Sequence, residues 1–146
     1  MTKEELQKLY KEIILPESKN PYHFKKLANC DLILEANNPF CGDQYRIFVD
    51  QQNGVVNQVY FDGFGCAVSK ASTSILAKLL EGKKMDEVQS FCSRFMTALS
   101  DHKLRDFKEE PLNVLAALMD FDGRIDCIKL SWEVVKEHFE NITNGN

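Results

Sequence analysis

Asn53-Gly54 sits between two runs of strand-forming residues and commits the middle of the chain to a tight antiparallel hairpin. Before it, Tyr45, Ile47 and Val49 alternate with Arg46, Phe48 and Asp50, the period-two pattern of a strand with unlike faces. After it, Val55 to Phe61 forms the returning strand, and Leu32-Ile33-Leu34 supplies a short strand upstream. The flanks read as helix. Thr2 and Glu5 make a capping box ahead of Leu6, Leu9, Tyr10, Ile13 and Ile14, a run that Pro16 is expected to stop. Val68 to Leu80 is rich in Ala, Ser and Leu, with Gly82 as its C-terminal cap. Met85, Val88, Phe91, Cys92, Phe95, Met96 and Leu99 give a second helical stripe. Pro111 opens a short helix with Leu112, Leu115, Leu118 and Met119, ended by Asp122-Gly123. Ile125, Ile128, Trp132, Val135, Phe139 and Ile142 mark the last helix. Residues 101–110, charged and without apolar period, read as a mobile connector. Strands first and helices after predict an α+β domain spanning residues 1–146, a small three-stranded antiparallel sheet with helices on one face.

Charge narrows the partners. There are 18 Lys+Arg against 22 Asp+Glu, a net charge of −4 with no basic stripe, which argues against nucleic acid. No apolar run reaches membrane-spanning length, and Met1-Thr2-Lys3-Glu4-Glu5 reads as a helix start and not as a signal peptide. Five cysteines, an odd number, fit the reducing cytoplasm, where they serve as thiols, metal ligands or nucleophiles.

Three of those cysteines stand in backbone punctuation. Cys41 lies in Asn37-Asn38-Pro39-Phe40-Cys41-Gly42-Asp43, where Pro39 extends Asn38 and Gly42 permits a bend that can aim Cys41 and Asp43 together. Cys66 follows Gly63-Phe64-Gly65 at a helix start, where a thiol gains thiolate character. Cys127 repeats that setting after Gly123-Arg124-Ile125-Asp126, with Arg124 close enough to balance nearby anions. Three soft sulfurs and the Asp43 oxygen can close a tetrahedral metal site, although separations of 25 (66−41) and 61 (127−66) match no zinc-finger spacing. The plain alternatives are an incidental turn cysteine, a small residue at a tight joint and a solvated arginine. Cys92 reads as core, Cys30 as an unorganised loop residue, and His23 and His102 as surface residues. His138 lies about 16 Å further along the last helix than Cys127 and cannot join the same metal.

Together the motifs resemble the U-type iron–sulfur cluster assembly proteins, the family of IscU, SufU and the N-terminal part of NifU. Asn38-Pro39-Phe40-Cys41-Gly42-Asp43 looks like the first cysteine motif of that family. The segment from Gly63 to Ser72 looks like the second, and Cys127 with Leu130-Ser131-Trp132 like the third. Ser18-Lys19-Asn20-Pro21 also matches a stretch near the family's N-terminus. Asp126 stands where scaffold-type members carry histidine, and Met119-Asp120-Phe121-Asp122-Gly123 replaces their Leu-Pro-Pro-Val-Lys segment. Arg124, three residues before Cys127, and a long stretch between the second and third cysteines place the resemblance on the SufU branch.

The resemblance implies a zinc-containing acceptor of persulfide sulfur. Its donor would be a SufS-like, pyridoxal-phosphate-dependent cysteine desulfurase, and downstream iron–sulfur assembly proteins would be further partners. Cys41, beside Gly42, is the thiol best placed to swing out as acceptor. Cys66 and Cys127 would be retained anchors, Asp43 the exchangeable ligand and Arg124 the charge balance. Two other readings stand beside this one: a scaffold on which a transient iron–sulfur cluster is built, and a structural zinc-binding interaction domain. A metal-free thiol enzyme would need a base, and no histidine stands near the three motifs.

Overall fold

The computed structural model describes residues 1–40, 42–122 and 125–143. Its sheet runs β1 (Leu32–Asn38), β2 (Asp43–Gln52), β3 (Val55–Phe64) in that spatial order, all antiparallel. Asn53 and Gly54 both take positive φ, 55° and 77°, the pair of left-handed residues a type I′ hairpin requires. Tyr45, Ile47 and Val49 face the core with Val59 and Phe61. Phe48, on the opposite side of the pleat, is also buried, with the Arg46 guanidinium 5.4 Å above its ring. The strands reach further toward the cysteine loop than their apolar residues indicate. Asn38 pairs with Asp43, so the ladder continues to the edge of the cysteine loop, where Gly42 takes φ 76°.

The first helix departs from expectation. α1 (Lys3–Leu9) starts at the expected capping box, but Pro16 does not end the helical path. Tyr10–Ile14 widens into a π-helical turn in which the Leu15 N–H reaches back to the Tyr10 carbonyl. Pro16 then sits in the first turn of α2 (Leu15–Lys19), where its missing N–H costs little.

The remaining helices are α3 (Ala67–Leu80), α4 (Met85–Ala98), α5 (Glu110–Ala117), α6 (Met119–Asp122) and α7 (Ile125–Thr143). α3 contacts β3 and α7 contacts β1, which puts the long helices over the sheet's core face. The expected mobile connector is instead pinned. His102–Leu104 forms a 3-10 turn and Phe107 is buried. Arg105 donates to the carbonyls of Ala98 (2.7 Å) and Leu99 (2.8 Å) and pairs with Asp120 at 2.7 Å. Two isolated anchors carry no period, so the sequence pattern cannot reveal them.

Buried hydroxyls join α3 to α7. Ser72 Oγ donates to the Ile128 carbonyl (2.6 Å) and accepts from Trp132 Nε1 (3.0 Å), while Thr73 and Ser131 hydroxyls lie 2.7 Å apart. Polar bonds of this kind in an apolar interior allow one register, because a slip would leave several groups unpaired. Cys66, the cap of α3, and Cys127, in the first turn of α7, also lie together, so the two helices run in the same sense. Trp132, fully buried, packs at a tilt against Phe95, ring centroids 4.1 Å apart.

Cys92 belongs to this core, as its stripe predicts, and burial pushes its thiol up to about 12. It is therefore a neutral thiol at ordinary pH. Iodoacetamide at about pH 8, slightly below the usual cysteine pKa, should leave Cys92 unmodified in the folded chain and alkylate it after denaturation. Peptide mass spectrometry reads this directly. Labelling of Cys92 in the native protein at a free-thiol rate would contradict the assignment.

Candidate metal centre

Three chain segments meet where the two long helices begin. Asp43, the first residue of β2, is buried with 2% exposure. Cys66 is the N-cap of α3, in extended geometry, and its Sγ accepts from the Ser69 N–H at 3.4 Å. Its own N–H donates to Asp43 Oδ1 at 3.1 Å, tying the strand to the helix start. Cys127 lies in the first turn of α7. One donor atom from each of Asp43, Cys66 and Cys127 falls within 4.8 Å of the other two. Cys41 and Arg124 lie outside the described residues. Among their described neighbours, Gly42 N–H donates to the Asn38 carbonyl (2.9 Å) and Phe40 N–H to Asn38 Oδ1 (3.1 Å).

The donor set suits a cation. Among the described residues, Asp43 Oδ2 is the buried side-chain oxygen with no hydrogen-bond partner, an arrangement that is costly for a carboxylate without a positive neighbour. Two sulfurs and one carboxylate oxygen match the preferences of a zinc-class ion.

Two further residues close the surroundings. Tyr45 is buried, its ring edge-on to Phe61 at 6.0 Å, and its phenol shares a 2.8 Å hydrogen bond with Ser69 Oγ. Burial drives that phenol far above its ordinary pKa. The Ser69 hydrogen bond acts the other way, and the charges of Asp43, Cys66 and Cys127 add to the rise. Gly65 marks the centre of the arrangement: a Cβ there would come under 3.0 Å from Tyr45 Oη, Ser69 Oγ and Asp43 Oδ1. Sequence reasoning assigned neither Tyr45 nor Ser69 to the site. The signals were present, since Tyr45 shares the pleat face of Asp43 and Ser69 occupies the third helical position after Cys66.

The other candidates lie apart from this cluster. His23, expected at the surface, is instead organised: its ring stacks between Tyr22 (3.9 Å) and Tyr60 (4.2 Å). Its Nδ1 faces Glu81 Oε2 at 3.0 Å and the Val59 carbonyl at 3.1 Å. Its backbone takes the left-handed region at φ 49°, which composition alone could not show. His102 is exposed beside Asp120, His138 lies against Phe139, and Cys30 donates weakly to the Leu32 carbonyl.

Known proteins share both the sequence and the architecture. The chain is 28% identical over 142 residues to the zinc-dependent sulfurtransferase SufU of Bacillus subtilis, covering 97% of this chain and 96% of that protein. It is 25% identical to the iron–sulfur cluster assembly scaffold protein IscU of Thermotoga maritima, covering 92% and 95%. The crystal structure of the N-terminal part of a nitrogen-fixing NifU-like protein from Brucella abortus superposes with a TM-score of 0.78. That match covers 97% of this chain and 99% of the other at 19% identity, a likeness of fold. Residues 9–143 match the family described as the NifU-like N terminal domain, and the chain belongs to it.

Proposed function

We propose that this protein is a zinc-dependent sulfur acceptor in iron–sulfur cluster assembly, taking persulfide sulfur from a cysteine desulfurase. The observation that carries the reading is the convergence of Asp43, Cys66 and Cys127 around a buried carboxylate oxygen that has no other partner among the described residues. Cys41, two residues before Asp43, is the fourth ligand in this reading and the acceptor. A bound zinc would hold the cysteine ligands as thiolates at neutral pH. The Cys41 thiolate attacks the outer sulfur of the donor persulfide, the donor S–S bond breaks, and the donor cysteine leaves as thiolate. Sulfur changes carrier with no external oxidant or reductant. Cys66 and Cys127 remain on their helix starts as anchors, Asp43 is the ligand that yields, and Arg124 balances the excess negative charge. Exposed Phe40 (96%) and Phe64 (60%), on the two cysteine segments, offer apolar contact to the donor protein.

Metal analysis tests the ligand set. Purified protein should hold about one zinc per chain, and a Cys66→Ser/Cys127→Ser variant should hold none. Stoichiometric zinc in the double variant would overturn the assignment, and iron with sulfide in the wild type would favour the scaffold reading.

A further inference from the structure

Tyr45 and Ser69 form a polar chain that ends on Cys66. Ser69 Oγ lies 2.8 Å from Tyr45 Oη, 3.1 Å from the Cys66 carbonyl and 3.6 Å from Cys66 Sγ. A serine hydroxyl has a single proton, and here two acceptors compete for it. A protonated phenol at the Ser69 oxygen fills one acceptor position there and polarises the serine O–H as a donor. With Cys66 as a thiol, its S–H donates to Ser69 Oγ and the Ser69 O–H donates to the Cys66 carbonyl. As a metal-bound thiolate Cys66 is acceptor-only, and the Ser69 N–H together with a reoriented Ser69 O–H are the donors within reach of it.

Resting on the metal-centre reading above, we propose that Tyr45 and Ser69 are positioning residues. Their hydrogen-bond relay, Tyr45 O–H to Ser69 Oγ and Ser69 O–H to Cys66 Sγ, holds the Cys66 sulfur in its ligating orientation and withdraws electron density from it. The consequence is a division of labour among the cysteines. A sulfur that receives hydrogen bonds from the protein is the weaker nucleophile, which fits Cys66 to the anchoring role the proposed function gives it. The Tyr45 ring is fixed by Phe61, and Gly65 leaves room for the phenol, so the relay is built into the β2–α3 joint. Outer partners of this kind typically alter metal affinity about 10-fold to 100-fold.

Cobalt(II) is the probe. Wild type, Tyr45→Phe and Ser69→Ala are loaded with cobalt(II), the thiolate-to-metal charge-transfer band is recorded, and affinity is measured by chelator competition. Loss of a donor to sulfur raises its electron density. Both variants should therefore move the band to longer wavelength and bind cobalt at least about tenfold more weakly. A purely structural role would lower the melting temperature without moving the band, and that result in a folded variant overturns the relay. Tyr45→Phe keeps the ring against Phe61 and so remains interpretable if Ser69→Ala misfolds. Absence of any thiolate–cobalt band in the wild type would overturn the metal-centre reading itself, whereas a wild-type band that neither variant shifts would overturn the relay alone.

Discussion

Replacing Cys41 with serine is expected to leave a folded protein that still docks to its desulfurase but acquires no sulfur from it. Cys66 and Cys127 hold helix starts, and the proposed function gives them the anchoring role and Cys41 the transfer. Serine keeps a similar volume, but its hydroxyl stays protonated at neutral pH and cannot take a persulfide sulfur. After mixing with desulfurase and cysteine, intact mass spectrometry should find one added sulfur on the wild type and none on Cys41→Ser. Stimulation of desulfurase turnover should vanish with it. Added sulfur on the variant in the wild-type amount would move the acceptor role to another cysteine.

The largest effect on stability should come from Gly63→Ala. Gly63 sits at φ 130°, opposite Tyr45 in the β2–β3 ladder. A Cβ there would run into the Gln44 carbonyl oxygen and come within 2.8 Å of Tyr45 Cα, backbone atoms that cannot turn aside. Conformational strain and the clash together should cost about 3 kcal/mol or more and lower the melting midpoint by about 10 °C. Gly54→Ala is the control, since its φ is also positive but nothing lies within 4 Å of its added methyl. That variant should lose only about 1 kcal/mol. Equal midpoints for the two would show that the sheet relaxes around residue 63.

What the sequence revealed follows from which interactions are local. The Asn53-Gly54 hairpin, the Thr2/Glu5 capping box and the Cys66 helix start all depend on neighbours a few residues away, and each appears where its residues predict. Asp43, Cys66 and Cys127 stand out as candidates because turn and cap residues advertise the backbone around them, and their donor atoms come together in the fold. Interactions between distant segments were not readable. Pro16 looks like a terminator until a π-helical turn absorbs it, and Arg105 looks like one more surface charge until Ala98, Leu99 and Asp120 surround it. His23 gave no sign of its stacking partners, and Tyr45 reads as strand filler until Ser69 comes within 2.8 Å.

The hydroxyl ladder between α3 and α7 has a consequence for chain entropy. Cys66 and Cys127 are separated by 61 positions (127−66), yet the register set by Ser72, Thr73, Ser131 and Trp132 brings their helix starts level. Whatever joins the two sulfurs closes a loop of that length, and a cross-link of this span restricts the unfolded chain by about 4 kcal/mol. The interior of the helix pair thus prepays the closure that a bridging ion would otherwise have to enforce. An ion joining the two sulfurs would couple occupancy to global stability, and the melting curve would then gauge how full the centre is.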